Sequence, residues 1–106
     1  MVDRKVIEIV KTYIRELESK GVTISKAYLY GSQARGEAGP ESDIDVMLVS
    51  PLFDGDYRPY LVAVWWSDYR SENKIEPFIV GEKRFETDDM SPIIGIVKEE
   101  GIEIAA

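Results

Sequence analysis

Apolar side chains fall at Val6, Ile7, Val10, Ile14 and Leu17, and Arg4, Lys5, Glu8, Lys11, Arg15, Glu16, Glu18 and Lys20 fill most places between them. Spacings of three and four predict an amphipathic helix from Asp3 to Lys20, closed by Gly21. The period then shortens. "TISKAYLYG" sets Ile24, Ala27 and Leu29 beside Tyr28 and Tyr30, which predicts a strand that Gly31 ends. Ser32 to Arg35 has the length of one helical turn, with Ser32 as its N-cap, and "GEAGPES" reads as a loop. Asp43 to Ser50 is a second strand, aliphatic and β-branched after an acidic start, and Pro51 closes it.

"FDGDYRP" is a turn-rich connection. "YLVAVWWSDYRSE" predicts a helix with Leu61, Val64, Trp65 and Tyr69 inward, although its Val-Ala-Val-Trp-Trp core also fits a strand. Two adjacent tryptophans on a helix cannot both face one core, so one of Trp65 and Trp66 is expected to be partly exposed. Lys74 to Val80 is a third strand, in which Pro77 marks an edge or a bulge. Ser91 and Pro92 make an N-cap and first helical position for a helix through Glu99, Gly101 ends it, and "IEIA" is a short last strand. Helices and strands in this order predict an α/β (α+β) fold, a small mixed β-sheet flanked by helices, with residues 1–106 as one domain.

Composition narrows the chemistry. The 106 residues include no cysteine and no histidine, which removes disulfides, thiolate and imidazole metal sites, and His-dependent triads. Carboxylates, hydroxyls, amines and guanidinium groups remain. A formal charge of −7 repels nucleic-acid backbones and argues against direct DNA or RNA binding. A small anionic substrate needs a local cation to reverse that sign. No apolar run approaches the ~20 residues of a membrane span, and Met1 to Arg4 opens a helix rather than a signal peptide, so the expected location is the cytoplasm, away from membranes.

The stretch "YGSQARGEAGPESDIDV" concentrates what chemistry is left. Alternate residues of a strand share a face, so Asp43 and Asp45 point the same way with Cα atoms roughly 6.6 Å apart, a hard-oxygen pair suited to Mg²⁺. Gly31 and Ser32 stand where a strand gives way to a helical turn, and their backbone N–H groups and the serine hydroxyl can hold phosphate oxygens. Arg35 lies one turn on and offers a fork to the same phosphates, or else pairs with Glu37 or Glu41. Two-metal phosphoryl-transfer sites use a further carboxylate. Glu76, otherwise an odd charge among Ile75, Pro77, Phe78, Ile79 and Val80, is the candidate, with an exposed edge-strand charge as the alternative. Asp54-Gly55-Asp56 lacks the remaining spacing of a calcium loop and is read as a turn.

Gly-Ser, ten intervening residues and Asp-x-Asp, with an aromatic strand before and "ARG" within, closely resembles the signature of the minimal nucleotidyltransferases of the DNA polymerase β superfamily. The amphipathic first helix, the later acidic strand and the final "KEEGIEI" extend the resemblance over nearly the whole chain. The resemblance implies the polymerase β-like fold, with Ser32 on the triphosphate, Asp43 and Asp45 on the metals and Glu76 in the place of the family's third acidic residue. Gln33 departs from the arginine of many relatives. Such small proteins resemble the antitoxin of HEPN/MNT pairs, which move AMP from ATP to a tyrosine of a helical HEPN toxin. The expected reaction is therefore Mg²⁺-dependent transfer of a nucleoside monophosphate, from ATP or another NTP, to a hydroxyl of a partner protein. A non-catalytic antitoxin that occludes its toxin, with a vestigial nucleotide site, is the rival. The oligomeric state is left open.

Overall fold

Four strands, β1 (Lys26–Tyr30), β2 (Ile44–Ser50), β3 (Ile75–Gly81) and β4 (Ile102–Ile104), make one mixed sheet in the order β3-β2-β1-β4. The computed structural model describes residues 2–104. β1 is antiparallel to β2 and β4, and β2 and β3 are parallel. The helix α1 (Arg4–Ser19) starts at an Asp3 cap that accepts from Lys5 N–H, and it covers one face of the sheet. Val10, Tyr13, Ile14 and Leu17 of α1 share a core there with Ala27, Leu29, Val46 and Leu48. On the opposite face α5 (Glu82–Thr87) and α6 (Pro92–Glu100) bring Phe85, Ile94 and Val97 against Met47, Val49 and Val80.

Strand alternation divides β2 cleanly: Ile44, Val46 and Leu48 face α1, while Asp45, Met47 and Val49 face the other way. Asp45 is only half-buried where Met47 and Val49 are fully covered. The N-terminal end of β2 on that face is consequently where the sheet stays open.

The parallel β2–β3 connection needs a crossover. The single helix predicted over 60–72 is two helices, α3 (Leu61–Trp65) and α4 (Asp68–Glu72). Trp66 leaves the helix at φ −94° and ψ 60°, and Ser67, in extended backbone, restarts it by accepting from Arg70 N–H. The carbonyls freed by the break find partners: the buried Tyr13 hydroxyl donates to Val64 O at 2.7 Å and Arg70 Nε to Trp65 O at 2.9 Å. Val64 therefore takes the core position, and Trp65 lies 39% exposed rather than inward.

Other expectations shift slightly. β2 begins at Ile44, leaving Asp43 just ahead of it, and β1 begins at Lys26. Gly31, not Ser32, caps the short helix α2 (Ser32–Arg35). The helix α5 has no counterpart in the sequence reading, because Asp54, distant in the chain, accepts from Lys83 N–H at its start. β3 is an edge strand, as Pro77 foretold. Ile44 N donates to Lys74 O, so the alternating ladder turns Glu76, Phe78 and Val80 backbone groups toward β2 and those of Pro77 and Ile79 outward. Proline at 77 thus forfeits no ladder bond. Ala105 of the predicted "IEIA" strand lies outside the described residues.

Candidate active site

Register assembles the site. Tyr30 of β1 lies directly opposite Asp45 of β2, which lies directly opposite Glu76 of β3. With strands spaced about 4.8 Å apart, the three side chains form one row across the open face. Asp43, two residues before Asp45, is exposed at the mouth of the same face. Two of the three predicted carboxylates are therefore in-register neighbours and the third lies two residues back along the chain.

The turn after β1 closes over this row. Gly31 adopts φ 73° and ψ −151°, a conformation essentially confined to glycine. A Cβ at that position would stand 2.5 Å from Asp45 Oδ2, so the glycine backbone rests directly on the carboxylate. Half-buried Ser32 follows as the first residue of α2, whose leading N–H groups have no partner within so short a helix. The expected phosphate-binding turn and the carboxylate pair are thus adjacent in space as well as in sequence.

Asp45 is the electrostatic centre. Burial, then the Asp43 and Glu76 charges, raise its pKa above that of an ordinary aspartate, and Arg35 offsets part of the rise. Burial with the same Asp45 and Glu76 charges pushes the Tyr30 hydroxyl up to about 12. A half-buried carboxylate between two like charges has its ionised form penalised, which a divalent cation would relieve. The oxygen-only donor set also suits Mg²⁺. Among the described residues, no three His, Cys, Asp or Glu side chains are gathered closely enough to hold a metal as they stand.

Arg35 is turned elsewhere. Its guanidinium donates to Glu37 at 2.7 Å and to Glu100, at the end of α6, at 3.0 Å. The ion-pair alternative with Glu37 holds, and Glu41 instead binds Lys74 at 2.6 Å. Gln33 Nε2 makes a long 3.5 Å contact to Asp43 O. Two participants escape sequence reasoning: Tyr30, which reads as strand scaffold until antiparallel pairing sets it beside Asp45, and Glu100, which only the folded chain brings to Arg35. The aromatic residue just before Gly-Ser was the one available signal for Tyr30.

The chain matches the model of the nucleotidyltransferase domain family over residues 7–103. It is similar in structure to a provisionally assigned nucleotidyltransferase from Sulfolobus solfataricus, with a TM-score of 0.60 and 17% identity, across 93% of this chain and 78% of that one. At that identity the likeness speaks for the fold, a small mixed sheet flanked by helices. No curated protein sequence matches the chain significantly.

Proposed function

The chain belongs to the nucleotidyltransferase domain family, and from that premise we propose that it moves a nucleoside monophosphate, AMP from ATP, to a hydroxyl of a partner protein. The observation that carries this reading is the in-register row of Tyr30, Asp45 and Glu76 beneath the Gly31 turn. Asp43, Asp45 and Glu76 are the residues that would hold Mg²⁺. When bound, the metal supplies charge neutralisation of the triphosphate and of the attacking oxygen.

The residues divide the remaining work. Backbone N–H groups of the Gly31–Ser32 turn and the Ser32 hydroxyl orient phosphate oxygens. Arg35 leaves Glu37 and Glu100 to complete the cradle. The acceptor hydroxyl oxygen bonds to the α-phosphorus while the bond to the bridging oxygen of the β-phosphate breaks, and pyrophosphate departs with that electron pair. Glu76, exposed on its edge strand, accepts the hydroxyl proton. Half-buried Tyr30 stands across Asp45 from Glu76 and forms one wall of the site.

The family resemblance and the −7 charge favour a protein acceptor over RNA, and a HEPN-type helical toxin encoded beside this chain is the proposed partner. Incubation with labelled ATP, Mg²⁺ and the adjacent gene's product labels that product. Asp43→Asn with Asp45→Asn abolishes the label, and equal labelling by the double variant overturns the mechanism. The exposed Trp65 and Trp66 and the −7 charge favour a second reading, an antitoxin that acts by occlusion alone. Protection of cells by the same double variant would decide for it.

A further inference from the structure

We infer that Lys74 is a positioning residue for the carboxylate row: its strained backbone and its ammonium group together hold Asp43 in place beside Asp45 and Glu76. This rests on the transfer reading above for what Asp43 does, and adds what keeps it there. Lys74 lies between α4 and β3, one step before the Ile44–Ile75 register pair and so alongside Asp43. Among the described residues it alone combines a side chain with a positive φ, 57°. Just past a helix end, that conformation is the one glycine adopts without strain. A lysine there keeps a backbone cost that glycine would remove, and such outliers persist where the surrounding structure uses them.

Two bonds from Lys74 bracket Asp43. Its carbonyl accepts from Ile44 N–H at 2.8 Å, which fixes the residue after Asp43. Its Nζ donates to Glu41 at 2.6 Å, which fixes the turn before Asp43. That turn is closed on itself: Ser42 N–H donates to Gly39 O at 3.1 Å, and Gly39 N–H to Ser42 Oγ at 2.9 Å. Holding Glu41 therefore holds the turn as a unit.

Packing alone does not fix this turn. A cavity of about 530 Å³ is lined by Gly39, Pro40 and Ser42 from the turn and by Val6, Ile9 and Ile44 from the body of the fold. Asp43 is itself exposed, and Gln33 reaches its carbonyl only at 3.5 Å. Among the described residues, 39–42 make one ion pair, the bond to Lys74. A surface ion pair biases an equilibrium by up to about fivefold, which sets the scale of the effect.

The test compares Lys74→Gly, which removes the strain and the ammonium group together, with Lys74→Arg and with the exchanged pair Glu41→Lys, Lys74→Glu. Lys74→Gly melts close to wild type, because relief of strain offsets the lost pair. The amides of Gly39 and Ser42 nevertheless exchange with solvent about two- to fivefold faster by NMR, and the Kd for Mg²⁺, read from the rise in melting temperature, increases by a similar factor. The sign is decisive: loss of a cation beside carboxylates tightens a divalent ion by charge alone, so weaker binding reports position. Lys74→Arg and the exchanged pair return both values toward wild type. Unchanged amide exchange in Lys74→Gly overturns the brace, and so does Mg²⁺ binding that is equal or tighter. Either result leaves the transfer reading standing where labelling persists. Where wild type binds no Mg²⁺, the metal part of that reading fails, and the exchange rates alone decide for or against the brace.

Discussion

Replacing Gly31 by alanine tests the contact on which the site is built. The position combines φ 73° and ψ −151° with a Cβ direction that ends 2.5 Å from Asp45 Oδ2. Strain in that backbone region costs about 1–3 kcal/mol for a residue with a side chain. The collision adds to it, because the Asp45 carboxylate must shift away from a Cβ placed 2.5 Å from its Oδ2, so a total loss of about 2–4 kcal/mol follows from strain and overpacking together. Gly21 supplies the control: it also has positive φ, 83°, but nothing lies within 4 Å of its Cβ direction, so Gly21→Ala should lose only about 1–2 kcal/mol. Urea denaturation reads both, and a loss near 3 kcal/mol lowers the midpoint by about 1–2 M. A double-mutant cycle with Asp45→Ala isolates the collision, since that change removes the carboxylate and leaves the strain. Equal losses at Gly21 and Gly31, or no coupling between Gly31→Ala and Asp45→Ala, would refute the reasoning.

Asp45→Asn should make the ligand-free protein more stable at pH 7 while ending transfer. The raised pKa means that stability from this group is present below the unfolded aspartate value and lost as pH rises through the folded one, so the melting-temperature gain vanishes on acidification below about pH 4. Mg²⁺ should raise the melting temperature of wild type and not of Asp45→Asn; the same increment in both would remove the cation from these carboxylates. Tyr13→Phe leaves the Val64 carbonyl without its 2.7 Å donor in a fully buried position and should cost about 1–2 kcal/mol by urea denaturation, with ATP affinity unchanged. Arg35→Ala breaks only exposed ion pairs, so its melting temperature should match wild type while the KM for ATP rises; an unchanged KM would confine Arg35 to those pairs.

Much of this protein is legible without its structure. The period of the apolar residues gives α1, the Gly-Pro punctuation bounds β2, and the spacing between Gly31-Ser32 and Asp43-x-Asp45 carries the family resemblance and marks out those four as candidates. Local physics suffices for these, because a helix face, a strand's alternation and a glycine turn are each decided within a few residues. Pro77 likewise narrowed its strand to an edge or a bulge, and the sheet order decides for the edge. What the sequence could not decide depends on partners far along the chain. The helix over 60–72 breaks because Tyr13 and Arg70 satisfy the freed carbonyls, and α5 forms with a cap from Asp54. Strand register, a sum of pairings over the whole sheet, sets Tyr30 and Glu76 on either side of Asp45, turning one acidic strand into a row of groups whose charges act on each other.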